Sequence, residues 1–332
     1  MTAFRQHVPP GAPPGMTAVR VRAPARLHLG ILDLAGGPAR RFGGLGVAVA
    51  SPAVVVEATP APEISVDGPN AERALAAARR CARDLGLAAG AHIRVLEAIP
   101  SHIGLGSGTK LALAAARALA VLNDRPASPA ELARAAGRGA RSAVGVWTFA
   151  MGGFVVEGGA RRQADTPAPL VARHPVPEAW RCVLAIPEAR PGLSGAAEEE
   201  AFGTLRPSRE RLAPISQLVL TSLLPALVEQ DLAEFGAALT RMQRLVGEAF
   251  APVQGGAYHP QSGELVEALL GWGAAGAGQS SWGPATYGVV GSEQAARRLS
   301  ARMREMLGGQ GHVLAVPFDN AGARVEVLCG SS

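Results

Sequence analysis

A chain of 332 residues with 48% apolar and 18% charged side chains has a globular composition, long enough to bury a full core and divide into two domains. The formal charge is +5, but arginines are interleaved with Asp and Glu and only 4% of residues are aromatic, which speaks against a nucleic-acid partner. Cys81, Cys182 and Cys329 are far apart with no paired spacing, so neither a disulfide framework nor a structural zinc site is indicated, and a reducing compartment is expected.

The stretch from Met1 to Met16 is rich in Pro and Gly and has no apolar h-region, so it reads as a flexible tail over residues 1–17 rather than a secretory signal. Val19 to Ala23 and Arg26 to Leu34 read as strands joined at Pro24, and the valine-rich Gly46 to Ala58 as another, with Pro52 marking a break or bulge. Ala71 to Leu85 has helical composition and stops at Gly86. Ile93 to Ala98 is a short strand that feeds the loop Pro100-Ser-His-Ile-Gly-Leu-Gly-Ser-Gly-Thr-Lys110. A helix then runs to Leu122, with Ser107 or Thr109 as its cap. It is apolar but carries Arg117 and is too short to span a bilayer, so no membrane partner is expected. Ser128, Pro129 and Glu131 form a helix start, and Gly152 to Glu157 reads as a strand.

The Pro-rich Thr166 to Pro177 is the expected domain joint, giving domains over 18–177 and 178–330. Beyond it come a strand at Cys182–Ile186 and helices near Ser208–Glu229, Asp231–Phe250 and Gly263–Leu270. The Gly-rich Gly273 to Gly283 reads as a loop before the strand Ala285–Val290. Helix Glu293–Leu307 and strands at His312–Val316 and Arg324–Leu328 close the chain, an α+β pattern.

Three segments carry chemistry. In the first, Gly104, Gly106 and Gly108 alternate, so the backbone can turn tightly and present its N–H groups to an anion. Ser107 and Thr109 add hydroxyls, and Lys110 is the only lysine of the chain, placing all six residues in a candidate phosphate cradle. Thr109 stands where the Walker and dinucleotide patterns need glycine, so neither fingerprint applies. In the second, Ala23 to Asp33, alternation puts Arg26, His28 and Gly30 on one strand face, with Arg26 a fork for phosphate and Asp33 a carboxylate nearby. In the third, Gln279, Ser280 and Ser281 supply donors and Trp282 an aromatic cover.

In this order the three segments resemble the motifs of the GHMP kinase superfamily: Pro24-x-Arg26 to Gly30, Pro100 to Gly108, and Gly276 to Gly283. The resemblance implies a GHMP-kinase-like two-domain fold. Its N-terminal domain would be like ribosomal protein S5 domain 2 and its C-terminal domain ferredoxin-like, with the site between them. Kinases of this superfamily carry a Ser-Gly-x-Asp whose Asp is the general base. The matching stretch here is Ser142-Ala-Val-Gly145, and Gly145 takes no proton. The serine that helps hold Mg²⁺ in those kinases is Gly108 here.

The strings Ala25 to Gly30, His102 to Lys110, Gly139 to Gly145 and Gly278 to Pro284 resemble the β-ribofuranosylaminobenzene 5′-phosphate synthases. That resemblance implies decarboxylating phosphoribosyl transfer from phosphoribosyl pyrophosphate to 4-aminobenzoate, or to 4-hydroxybenzoate, in tetrahydromethanopterin biosynthesis. CO₂ and pyrophosphate would leave, with Mg²⁺ expected and no ATP or organic cofactor. The expected roles are anion binding by the glycine loop with Arg26 or Arg141, and electrostatic stabilisation of the anomeric carbon by Asp33. His28 is a candidate acid or base, with a hydrogen-bonded packing residue as the alternative, and Ser142 belongs to the substrate contacts. Arg190 and Ser194 are a candidate lid. A cytoplasmic homodimer is the expected form; an ATP-dependent small-molecule kinase or a non-catalytic phosphate-binding protein are the alternative readings.

Overall fold

The computed structural model describes residues 16–329, apart from 38, 163, 164, 194 and 206. Most of the expected tail, and Ser194 of the candidate lid, therefore lie outside the described residues. The two strands expected on either side of Pro24 are one, β1 (Met16–Asp33), paired antiparallel along its length with β2 (Arg40–Ala61). Pro24 faces Ala53, whereas Ala25 faces Val49, so β2 carries extra residues at this point and the hairpin bends there. The expected break at Pro52 is this bulge.

Next come β3 (Ser65–Asp67), α1 (Ala71–Leu85), β4 (Gly90–Glu97), α2 (Ser107–Leu122) and α3 (Pro129–Ala135). After them lie α4 (Val144–Met151), β5 (Phe154–Glu157), β6 (Ala160–Arg161) and β7 (Leu170–His174). The second half holds β8 (Arg181–Pro187), α5 (Gly195–Thr204), α6 (Arg209–Leu218), a π-helical turn at Val219–Leu223, α7 (Leu224–Glu229) and α8 (Leu232–Gln254). It ends with α9 (Gly263–Gly271), β9 (Gly276–Gln279), β10 (Thr286–Val290), α10 (Glu293–Leu307), β11 (Gly311–Pro317) and β12 (Arg324–Cys329).

The larger sheet runs β12-β1-β2-β4-β3, with β5 and β6 also on β2 and β7 on β5. The smaller runs β11-β8-β10-β9, all antiparallel. With helices after β8 and β10, that order is the split βαβ arrangement of ferredoxin-like domains. The expected division at residue 177 is crossed by β12, which returns to pair with β1 and ties the chain's end into the first sheet.

Helix α2 is buried continuously from Lys110 to Ala120, as a helix apolar on every side must be. Its alanines let it lie close on α1 and on the larger sheet. The apolar span Leu212–Glu229 is long enough on length and composition to cross a bilayer. Here Leu212, Ile215, Val219, Leu223, Ala226 and Leu227 are buried in the main core while Leu220 and Val228 are exposed, so one face of the span packs on the protein.

The Gly273–Gly283 segment is not all loop. β9 lies within it, and its glycines are dictated by α8, which packs at backbone distance. A Cβ at Gly276 would sit 2.5 Å from the Gly236 carbonyl oxygen, and one at Gly278 2.5 Å from the Gln243 side chain. The expected start of α3 is present as a reciprocal cap: Ser128 Oγ accepts from Glu131 N (3.2 Å) and Glu131 Oε2 from Ser128 N (2.9 Å). Ser128→Ala should therefore cost about 1 kcal/mol, read as a lower urea midpoint at unchanged slope; an unchanged midpoint would mean the cap contributes nothing.

Candidate active site

Three segments far apart in sequence converge on one carbonyl. The Gly104 oxygen accepts from Arg26 Nη1 of β1 and from Ser280 Oγ just after β9, the latter at 2.7 Å. Ser280 Oγ also accepts from His28 N (2.9 Å), and Ser281 N donates to the His28 carbonyl (3.0 Å). Gly104 has φ +89°, and a Cβ there would lie 2.1 Å from the Ser280 oxygen, so only glycine admits this approach. The cap of α2 is Gly106, at φ +79° and with no side-chain hydrogen bond, rather than the expected Ser107 or Thr109. The positive end of α2 is therefore left open to the cleft before it.

Two cavities adjoin at this knot. The outer, of about 840 Å³, is lined by Gly104, Gly106, Ser107, Gly108 and Thr109 and by Arg26, Arg73, Arg80 and Arg138. Burial, then repulsion from Arg73 and Arg80, lowers the pKa of Arg138, and its Nε is buried without a partner. Positive charge is thus gathered here at a folding cost, the signature of an anion site. The inner cavity, of about 100 Å³, is walled by Phe42, Phe202, Phe250 and Trp282, with Phe250 edge-on to Trp282 at 4.6 Å. Arg26, Glu198 and Ser281 line both. Glu198 accepts from Trp282 Nε1 (3.0 Å) and pairs with Arg141 (2.5 Å), which stacks on Phe202.

Arg26, His28, Arg141, Ser142, Gln279, Ser281 and Trp282 all line the inner cavity, so most of the expected set is brought together. Burial, and then Arg26, push the His28 imidazole down to about 3, so it is neutral near pH 7, with Nε2 3.1 Å from Ser142 Oγ. Burial brings the half-buried Arg26 guanidinium down to about 10, which leaves it charged. Gln279 is fully engaged: its Oε1 accepts from His259 N (2.6 Å) and its Nε2 donates to Gln254 and Ser281. Ser280 is completely buried and spent on the knot.

Two expected residues lie elsewhere. Lys110 is 0% exposed; its Nζ donates to Thr148 Oγ1 (2.9 Å), and burial lowers its pKa well below the lysine norm. It points into the core from α2, so it does not grip a phosphate in the cleft. Asp33 lines neither cavity; its Oδ1 accepts from Gly36 N (2.9 Å) in the turn after β1. It does not face the site.

The reading of the sequence missed Arg73, Arg80, Arg138, Glu198 and Glu157. Arg73 and Arg80, two turns apart on one face of α1, left a signal in their spacing. After the candidate lid residues in sequence comes α5, whose Glu198 lines both cavities and whose Phe202 lines the inner one. Glu157 is completely buried beside Ser142, with Oε2 accepting from Gly159 N (2.8 Å) and Oε1 from Ala143 N (3.4 Å). At position 145 a Cβ would lie 3.0 Å from Thr109 Cγ2, so the slot for a kinase base holds no carboxylate, and a side chain there would need Thr109 to give way. Among the described residues no group of three or more His, Cys, Asp or Glu could hold a metal ion.

Residues 72–153 match the family model of the GHMP kinases N terminal domain, and residues 223–309 that of the GHMP kinases C terminal. The β-ribofuranosylphenol 5′-phosphate synthase of Archaeoglobus fulgidus is 34% identical over 93% of this chain and 100% of its own. That of Methanothermobacter thermautotrophicus is 32% identical over 91% and 97%. Among solved structures, homoserine kinase from Cytophaga hutchinsonii superposes with a TM-score of 0.68 over 95% of this chain and 99% of its own, at 18% identity. That likeness shows the two-domain fold expected from the sequence.

The charge distribution sets a binding prediction. Inorganic pyrophosphate should bind the outer cleft, and Arg73→Ala and Arg138→Ala should each weaken it about tenfold, the worth of a charge-assisted hydrogen bond. Lys110→Met should change the affinity by less than about threefold, because the ammonium lies outside the cleft. Titration calorimetry decides; a Lys110→Met loss equal to those of the arginine variants would return the lysine to the site.

Proposed function

The chain belongs to the β-ribofuranosylphenol 5′-phosphate synthase family, and we propose that it joins C1′ of phosphoribosyl pyrophosphate to the carboxyl-bearing carbon of a para-substituted benzoate. The observation that carries this reading is the pairing of an arginine-lined cleft with an aromatic-walled cavity, the two meeting at Arg26, Glu198 and Ser281. One cavity suits a donor dense in phosphate, the other a flat aromatic acid.

In the proposed reaction the open head of α2 and Arg73, Arg80 and Arg138 hold the donor's pyrophosphate. Positive charge develops at C1′ as pyrophosphate leaves with the bonding pair. Glu198, the carboxylate shared by both cavities, replaces Asp33 as the group that stabilises it. The ring carbon attacks, and the carboxylate departs as CO₂ while its bonding pair restores the aromatic ring. Mg²⁺ would be carried on the donor's phosphates, an arrangement that needs only one or two protein carboxylates. Glu198 is the candidate ligand.

Phosphoryl transfer from ATP to an alcohol is disfavoured at this site. A positioned base typically contributes ~10²–10⁴ in rate, and Gly145 supplies none. The relatives are named for a phenol product, which puts 4-hydroxybenzoate beside 4-aminobenzoate as the acceptor. We place the enzyme in the cytoplasm, where its free thiols Cys81, Cys182 and Cys329 remain reduced, and expect a homodimer that acts in tetrahydromethanopterin biosynthesis.

The test is release of labelled CO₂ from carboxyl-labelled acceptor, with phosphoribosyl pyrophosphate and Mg²⁺ and without ATP. Release that depends on the donor is the expected result. No release from either acceptor, with ADP formed from ATP and a small alcohol, would make the protein a kinase.

A further inference from the structure

Glu157 is costly to keep where it is. A carboxylate without a cation in the interior is disfavoured by several kcal/mol of lost hydration, roughly. Among the described residues neither an arginine nor a lysine pairs with it. Its burial pushes its pKa up to about 7, against the three hydrogen bonds it accepts from Gly159 N, Ala143 N and Ser142.

The elements around it bring few titratable groups. β2 contributes Gly43 and Gly44, the head of α4 Ser142 and Val144, β7 Leu170, and β1 His28. Arg40 of β2 is turned to the Gly159 carbonyl. A Cβ at Gly44 would lie 3.0 Å from Glu157 Oε1 and 3.5 Å from His28 Nε2, so the two tips converge on one point and the glycine leaves it free. Ser142 Oγ is 3.1 Å from His28 Nε2, and Ser142 also works against the effect of burial on the Glu157 pKa, which puts it beside the carboxylate. His28 and Ser142 line the inner cavity and not the outer, the end of the site where the aromatic ring is placed.

We propose that Glu157 is a positioning residue that takes up and returns, through Ser142, the para-hydroxyl proton of a 4-hydroxybenzoate acceptor. The inference rests on the reaction proposed above. The phenolic O–H donates to Ser142 Oγ as the serine passes its own proton to Glu157, while His28, held neutral, orients the hydroxyl. The ring carbon forms its bond to C1′ as the C1′–oxygen bond to pyrophosphate breaks, leaving a carbonyl at the para position. Loss of CO₂ returns that bonding pair to the ring, the para oxygen becomes an oxyanion, and Glu157 gives the proton back. No proton is gained or lost overall. His28 cannot substitute as the base, because burial keeps it unprotonated far below neutrality.

The test measures kcat for both acceptors from pH 5.5 to 8.5 in the wild type, Glu157→Gln and Ser142→Ala. With 4-hydroxybenzoate, wild-type kcat should rise with pH through about 7 as Glu157 ionises. Both variants should lose about 10²-fold and the inflection, the usual worth of positioned acid–base catalysis. With 4-aminobenzoate, whose amine can carry the developing charge as an iminium without losing a proton, Glu157→Gln should stay within about threefold of the wild type. Equal losses with both acceptors, an inflection retained in Glu157→Gln, or a wild type that uses only 4-aminobenzoate would overturn the inference and leave the proposed reaction standing. A wild type that releases CO₂ from neither acceptor would overturn the reaction itself.

Discussion

The site depends on the carbonyl oxygen of Gly104. That atom is the common acceptor for Arg26 and Ser280, and through Ser280 it is linked to the backbone of His28. One part-buried, doubly used acceptor thus fixes β1, the glycine loop and the turn after β9 relative to one another. Hydrogen bonds shielded from water are individually modest but costly to leave half made. The ends of the cavities are set by the same bonds: Arg26 is held between them, and Ser281 follows directly from the knot.

The two cavities also explain why a kinase fold carries different chemistry here. The scaffold keeps the open head of α2 and its glycine approach, the parts proposed to bind phosphate. It lacks a carboxylate at position 145, with Thr109 filling the space beside it. Against that loss stand four arginines lining the outer cleft and a wall of aromatic rings around the inner one. An arginine whose pKa is lowered by burial and then by two neighbouring arginines, and a carboxylate without a cation, are both unfavourable to folding, so their presence is best understood as cost borne for the reaction.

Much of the fold was legible because its signals are local. Helices α1, α2 and α10 follow from composition, and Ser128 with Glu131 announces α3. β9 was hidden because its glycines are demanded by a distant helix, and glycine in sequence reads as loop. Lys110 was misread for a related reason: its motif position suggested phosphate, while its direction depends on how α2 packs. Asp33 sits near the motif in sequence but in a turn that faces away. Arg138 and Glu157 take their meaning from partners far along the chain, Arg73 and Arg80 for one and Ser142 and His28 for the other. No local pattern records those meetings.

In the proposed arrangement the phosphates lie outside, the aromatic ring inside, and the knot between them. A crystal structure of the protein with pyrophosphate and 4-hydroxybenzoate bound together is the decisive measurement. Pyrophosphate is expected at the head of α2 among Arg73, Arg80 and Arg138, and the ring beneath Trp282 with its hydroxyl toward Ser142. Pyrophosphate paired to Arg141 in the inner cavity, or the ring lying in the outer cleft, would contradict that arrangement.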